Sequence, residues 1–381
     1  MIQSAFDKAF GGNNQAKTAN APGVQGRIED AEKVDWEAKC EEEFDIHMHK
    51  AKIMVIGCGG AGCNTVTRLT EMGASGADII ALNTDAKHLS ITKAHKKLLI
   101  GKDTTRGLGA GGYPKIGEKA AAEDRTKIKQ MLEGADLVFL TAGLGGGTGT
   151  GSAPVVAEIA KSNGAIVIGA VTMPFRMEGT RIQKAEDGLS KLRQVTDTVV
   201  VIENQKLLEY AGSMPLAQAF ALADELISMM IKGITETITV PSLVNLDFAD
   251  VKAVMSCGGV SAICVGESDS QSKIKDAVLK AINHPLLEVD YQGALGAMVH
   301  VICGPDCTLA EINEAGELIS KRLSPEAQII WGARVMPEYT GKVQIIAIIT
   351  GVKSPYLLGP MQTEERAKNA ENEFGIPVIM R

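Results

Sequence analysis

Three glycine-rich turns and one pair of aspartates hold the residue types and spacings with which this chain could do chemistry. The densest turn is GGGTGTG, residues 145–151, with five glycines and two threonines in seven positions. The other two are GCGGAGCN (57–64) and GLGAGGYP (107–114), and the aspartates are Asp247 and Asp250 of NLDFADV (245–251). Glycine tolerates positive φ, so successive N–H groups can turn toward one anion, and its missing side chain lets phosphate oxygens approach the backbone. Thr148 and Thr150 add hydroxyl donors. The chemistry on offer is the holding of phosphates by amides. A flexible linker is the competing reading, and it fits poorly a turn that follows the apolar run DLVFLTAG without a spacer and leads into a helical segment.

The elements around these turns explain why they would face a ligand. Short apolar runs, KIMVIG (52–57), DIIALN (78–83), DLVFLTAG (136–143), AIVIGAVT (165–172) and TVVVIE (198–203), alternate with segments of helical composition such as KIGEKAAAEDRTKIKQMLEG and APVVAEIAKSNG. Apolar strands alternating with helices predict an α/β fold, a Rossmann-like parallel sheet covered on both faces. In such sheets ligands bind beyond the carboxyl ends of the strands, where helix N-termini present free N–H groups. Residues 216–238, LAQAFALADELISMMIKGITETI, read as one long helix too apolar for a free surface, packed between two lobes. A smaller α+β lobe follows, with strand-like runs VSAICVG, GAMVHVICG, QIIWGARV and VQIIAIITGV. Helices are expected near 270–283 and 308–323, the second opened by a Thr308 and Glu311 capping box. The expected division is a polar tail (1–50), a nucleotide-binding domain (51–212), a central helix (213–240), a C-terminal domain (241–352) and a connector with a terminal peptide (353–381). Within the tail, Ile2, Phe6 and Phe10 suggest a short amphipathic helix.

The number of loops bears on the ligand. Gly57, Gly59 and Gly62 satisfy G-x-G-x-x-G after a strand, and Asp85 closes the next strand-like run, as in a dinucleotide-binding oxidoreductase. One such loop serves a pyrophosphate and gives no reason for two more, so three loops suit a nucleoside di- or triphosphate better. No turn is followed by Lys-Ser or Lys-Thr, which excludes a Walker A site. For Asp247 and Asp250, three residues apart, the bland reading is capping of a helix, Asp247 at the N-cap and Asp250 in the first turn.

Composition narrows the partners. The chain has 381 residues, 45% hydrophobic and 22% charged, enough for about two domains of ordinary size. A net charge of −7 and 4% aromatic residues argue against nucleic acid, which asks for basic stripes and stacking platforms. No apolar run reaches the roughly 18 residues of a membrane span, and the start MIQSAFDKAFGGNNQAK lacks a signal-peptide core, so a cytoplasmic protein is expected. Seven scattered cysteines suit a reducing compartment, and the CxxxC of Cys303 and Cys307 has no second ligand pair beside it.

Taken together, these motifs resemble the FtsZ family of the tubulin superfamily, the cell-division GTPases. The resemblance runs from about Lys52 to Val352 through GCGGAGCN, NTDA (83–86), GLGAGG, GGGTGTG, PFRMEG (174–179), EN (203–204), FALADE (220–225) and NLDFADV. NHPLLEVDY and IIWGARV resemble archaeal members, particularly the second of two archaeal paralogue types. The resemblance implies that Gly59, Gly60, Gly109, Ala110, Gly111, Gly145, Gly146, Gly147, Thr148, Gly149 and Thr150 line the phosphates of GTP or GDP, with Asp85 beside them. It implies that Glu178 meets the ribose, that Asn64, Asn204 and Asp224 bond the guanine edge, and that Phe220 packs on the base. Arg181 would contact sugar or phosphate, although bacterial members place their arginine four residues after the glutamate and here it stands three after Glu178. Mg²⁺ would be held through phosphates and water, without direct protein ligands.

The resemblance further implies that Asn245, Asp247 and Asp250 enter the nucleotide pocket of the next subunit and act on the attacking water, so that head-to-tail filaments hydrolyse GTP. Such filaments would form a ring at the division site on the inner face of the cell membrane. The terminal GIPVIMR would hold a membrane-anchoring division protein, and a paralogous FtsZ could share the ring. A second function class is the NAD-dependent oxidoreductase. A third is a regulatory relative that binds nucleotide without turnover, against which Asp247 and Asp250 both argue.

Overall fold

The computed structural model describes residues 51–353, apart from 212, 241, 257–259 and 284–288, together with 357 and 358. The expectations for the tail (1–50) and for the terminal peptide lie outside these residues. The described residues begin with β1 (Ile53–Cys58), α1 (Gly59–Glu71), β2 (Ala77–Asn83), α2 (Ala86–Ile91), β3 (Lys96–Leu99) and α3 (Lys102–Thr105). It continues with α4 (Pro114–Glu123), α5 (Arg125–Met131), β4 (Leu137–Gly143), α6 (Thr148–Ser162), β5 (Ile166–Met173), α7 (Thr180–Arg193), β6 (Thr198–Glu203) and α8 (Asn204–Ala211). The central helix α9 (Leu216–Thr239) leads to α10 (Phe248–Ser256), β7 (Val260–Ser268), α11 (Lys273–Ile282), β8 (Gly296–Cys303), α12 (Leu309–Ser320), β9 (Gln328–Val335), β10 (Val343–Val352) and β11 (Leu357–Leu358).

The first sheet has the order β11-β6-β5-β4-β1-β2-β3, parallel except for β11, which runs antiparallel to β6 and covers that edge. Successive residues of its strands serve two cores. Ile53 and Val55 of β1 and Leu137 and Phe139 of β4 face one, while Met54, Ile56, Val138 and Leu140 face the other. A strand buried on both sides must be apolar at every position, which is why these runs were continuous rather than alternating. The first core continues through Ile227, Met230, Ile231 and Ile234 of α9 into Ile346 and Ile348 of β10, so the central helix is shared by both lobes. The second sheet has the order β7-β10-β8-β9, with β8 and β9 parallel and the other pairs antiparallel.

Two details go beyond the sequence expectation. The segment of helical composition after the third glycine turn forms two helices, parted at Asp124, whose buried carboxylate accepts the N–H of Gly101 at 2.8 Å and pairs with Lys127. The strand β3 was not anticipated, because its sequence KKLL puts two exposed lysines on the sheet edge. The Thr308 and Glu311 capping box is present at α12, with both backbone bonds made.

Candidate functional site

Strand order brings the glycine turns together. The direction of strand addition reverses between β1 and β4, which are hydrogen-bonded neighbours with Cys58 opposite Ala142. The turns leaving them therefore emerge side by side at the switch point of the sheet. Contact is close: Gly59 sits at φ +72, and a Cβ there would lie 2.6 Å from the Gly149 nitrogen. The third turn closes on the second, since a Cβ on Gly147 would meet Ala110 Cβ at 2.8 Å and Tyr113 N at 2.9 Å. All three turns share one site, and side chains are excluded from it by packing as well as by backbone conformation.

The site is built for an anion. The helices α1 and α6 start at the two adjacent turns, neither receives a side-chain cap, and neither has an acidic residue in its first turn. Their first N–H groups are thus left for a ligand. Around Gly60 and Gly146 nothing stands within 4 Å of where a side chain would begin, so the backbone there faces open space. The hydroxyls of Thr148 and Thr84 are 2.6 Å apart, and Thr150 Oγ1 is buried without a hydrogen-bond partner. Gly109 differs from its neighbours. Its N–H is donated to Thr84 O at 3.1 Å, so it shapes the third turn rather than offering an amide. Asp85 likewise does local work, accepting the His88 N–H at 3.0 Å as the N-cap of α2. Gly111 stands exposed in the third turn, and Gly145 takes φ +91 at the start of the second.

A second group lies where α1, α8 and α9 present their side chains. Asp224 is half-buried, and Thr65 Oγ1 donates to its Oδ1 at 2.6 Å. Burial raises its pKa above the usual carboxylate value, against the lowering effects of Thr65 and Arg68. Asn204 Oδ1 is buried and unpartnered, an acceptor without a donor, and Asn64 stands exposed on α1. Phe220 is part-exposed and packs edge-to-face with Phe175, ring centroids 5.7 Å apart. Glu178 accepts the Phe175 N–H at 2.9 Å with one oxygen and Arg181 Nη1 at 2.6 Å with the other, so the out-of-place arginine is paired with the glutamate beside it. Sequence reasoning missed Thr65, Phe175 and Lys184, whose Nζ donates to Gly112 O at 2.8 Å and braces the third turn. Phe175 and Thr65 stand in or beside quoted motifs, whereas nothing in the sequence marks Lys184.

Asn245, Asp247 and Asp250 are not brought to the glycine turns. From Asp224 to Thr239 the central helix runs fifteen residues, about 22 Å at 1.5 Å per residue, and the acidic loop follows its far end. There Asp247 and Asp250 cap α10 reciprocally: the Asp247 N–H is given to Asp250 Oδ2 at 2.9 Å, and the Asp250 N–H to Asp247 Oδ1 at 3.0 Å. The capping anticipated from their spacing is thus present. It occupies one oxygen of each carboxylate.

A doubly wound sheet with an amide-lined anion site at its switch point, joined by a long helix to a mixed four-stranded sheet, defines a nucleotide-binding protein of tubulin-like class. The Tubulin/FtsZ family, GTPase domain, matches residues 52–212, and the FtsZ family, C-terminal domain, matches residues 259–353. The chain is 54% identical to cell division protein FtsZ 2 of Methanocaldococcus jannaschii, over 86% of this chain and 89% of that one. It is 51% identical to cell division protein FtsZ 1 of Thermococcus kodakarensis, over 98% and 96% of the two chains. Among solved structures it resembles an empty FtsZ dimer from M. jannaschii with TM-score 0.75 and 53% identity, covering 83% of this chain and 92% of that one. The chain belongs to the FtsZ family and is a GTPase of that family. Its relatives carry both archaeal paralogue names at similar identity.

Proposed function

We propose that this chain assembles head to tail into filaments of a cell-division ring, and that each GTP site is completed by Asn245, Asp247 and Asp250 of the next subunit. The observation that carries the reading is the separation of the acidic pair from the glycine turns by the length of the central helix. A single chain then holds GTP without the groups that act on the attacking water. A head-to-tail contact supplies them, and a heterologous contact that does not close propagates a filament. The functional units are taken as 51–212 for GTP binding, 213–240 for the central helix and 241–352 for the catalytic loop and its lobe.

In this reading the amides of Gly59, Gly60, Gly146, Gly147, Thr148 and Gly149 hold the phosphates, with Gly145, Ala110, Gly111 and Thr150 completing the cradle and Gly109 and Asp85 shaping it. Glu178, held by Arg181, meets the ribose. Asp224 accepts the N1–H and N2 amino hydrogens of guanine, a donor pair adenine lacks, while Asn204 offers its unpartnered oxygen and Asn64 borders the same edge. Phe220 supplies a ring for the base, fixed by Phe175. None of the three turns carries a cationic side chain. Mg²⁺, bound through phosphate oxygens and water, would supply the positive charge that phosphoryl transfer requires. The oxygens of Asp247 and Asp250 not used in the cap are left to orient and polarise water.

Among the described residues no helix is long and apolar enough to cross a membrane. We place the protein in the cytoplasm at the division site, held there by an anchoring partner through residues 374–381, which lie outside the described residues, and open to a paralogous FtsZ in the same ring. The dinucleotide alternative finds no support in the family matches. Hydrolysis per subunit measured against protein concentration, with light scattering followed alongside, tests the reading. Specific activity should rise above a critical concentration together with scattering; activity independent of concentration would refute assembly-driven catalysis.

A further inference from the structure

The loop that carries Asn245 and Asp247 is reached by one buried imidazole. His300, in the middle of β8, is fully buried. Its Nδ1 lies 2.8 Å from Thr237 Oγ1 in the last turns of α9, and its Nε2 lies 3.4 Å from Ser242 Oγ in the loop beyond. The proton positions follow from the neighbours. The hydroxyl hydrogen of Thr237 is donated to Gly233 O at 2.7 Å, so Thr237 Oγ1 can only accept from the ring. Nδ1 therefore carries the proton, and Nε2 is left as an acceptor for the Ser242 hydroxyl, whose one hydrogen is shared between the ring and Val240 O, each 3.4 Å away. Burial pushes the imidazole pKa down to about 4, which keeps this tautomer neutral near pH 7. Ser242 in turn donates its N–H to Asn245 Oδ1.

Other contacts seat the rest of the loop. Val244 and Ala333 exchange two backbone hydrogen bonds, 3.0 and 3.2 Å, and Leu246 is buried. Gly332, opposite His300 in the β8–β9 register, has no room for a side chain: a Cβ there would stand 2.6 Å from Leu246 Cγ and 2.7 Å from Val244 O. The backbone pairing fixes the loop at Val244, one side of Asn245. Ser242, two residues before Val244, is joined by His300 to the helix that runs back toward the guanine edge.

We propose that His300 is a positioning residue for GTP hydrolysis, acting through Ser242 to set how the loop presents Asn245 and Asp247 to the neighbouring subunit. This rests on the reading that those residues act in trans. The amide nitrogen of Asn falls near the place of Nδ1, so His300→Asn keeps the Thr237 bond and loses Ser242. The longer Gln reaches the place of Nε2, so His300→Gln can accept from Ser242 and gives up Thr237.

The full chain should be assayed as assembled filaments at saturating GTP, with His300→Asn, His300→Gln, Ser242→Ala, the His300→Asn/Ser242→Ala double variant and Asp247→Asn measured together. His300→Asn and Ser242→Ala are each expected to lower kcat about fivefold, the scale of one neutral hydrogen bond. KM and critical concentration should be unchanged, the double variant should be no slower than either single, and Gln should restore kcat to within about twofold of the parent. Equal kcat for the Asn and Gln variants, at whatever melting temperature, would overturn the proposal and leave His300 with a purely structural role. Wild-type turnover in Asp247→Asn would instead remove the trans-acting reading, and the two failures are distinct: a dead Asp247→Asn beside a fully active His300→Asn refutes only the role of His300.

Discussion

The aspartates Asp247 and Asp250 each give one oxygen to the start of α10, and this allows capping to be separated from chemistry. In Asp247→Asn or Asp250→Asn the amide oxygen can still accept the same N–H, so the helix keeps its cap, while the charge that would polarise water is gone. Either change should leave GTP binding and assembly near normal and lower turnover by roughly a hundredfold or more, a full general-base effect. Asp247→Ala would also lose the cap, about 1 kcal/mol of stability, and so would not separate the two roles. At the other end of the molecule, Asp224 must be ionised to accept from guanine, and burial raises its pKa. GTP affinity should accordingly fall as the pH is lowered, starting above the range of an ordinary carboxylate. Asp224→Asn should weaken GTP by on the order of tenfold or more and improve the relative binding of xanthosine triphosphate, whose 2-carbonyl accepts where guanine donates. Nucleotide titrations of the unassembled chain would report both; unchanged preference between the two bases would contradict the assignment of Asp224.

Among the elements, those with both faces buried were legible in the sequence, and those shaped by distant partners were not. The strands β1, β4, β5 and β6 show as continuous apolar runs because two cores claim their alternate residues. The glycine turns showed as phosphate loops because an anion site asks for the same composition wherever it occurs. By contrast, the break at Asp124 depends on the N–H of Gly101 from another loop, and the Phe175 and Phe220 pair joins residues 45 apart, so neither could be read from local pattern. Two predictions belong at this scale. Gly147→Ala would push Ala110 and Tyr113 away from the second turn, so we expect nucleotide binding to weaken and stability to fall by about 1–3 kcal/mol, measured by calorimetry and thermal melting. His300, joining β8 to α9, is neutral when folded and has its pKa lowered to about 4. Since the unfolded ring titrates near 6.5, the unfolded chain takes up the proton first. The resulting stability is present above about pH 6.5 and is lost as pH falls toward 4, amounting to about 3 kcal/mol at the lower end. His300→Gln should melt with a shallower dependence on pH across that window; an identical slope would show that the ring does not titrate there.

For the molecule as a whole, the resemblance carried by eight motifs supplied what physical reading of the chain could not. Composition and pattern lead to a mononucleotide bound at a switch point, but the assignment of residues to ribose, base edge and neighbouring subunit came from the family. The distance between Asp224 and the acidic loop became visible only with the central helix in place. At this scale the prediction is that mixing Asp247→Asn chains into wild-type filaments lowers turnover in proportion to the interfaces that contain a mutant loop, while a variant defective in GTP binding disables the pocket at its opposite end. Co-assembly of Asp247→Asn chains with the binding-defective variant tests this: turnover regained where an intact pocket meets an intact loop supports catalysis in trans, and its absence argues for catalysis within one subunit.

One further consequence comes from β11. After β10 ends at Val352 in the second sheet, the chain returns to the first sheet, where Leu357 and Leu358 pair with Val200 and Val199 of β6. Among the described residues this pairing is the last hold on the chain, so tension drawn through Leu358 meets it before it meets either core. Two residues of antiparallel ladder, peeled from an edge, resist far less than strands locked between two layers. The attachment would yield there first, as a mechanical fuse, sparing the nucleotide-binding sheet from the load.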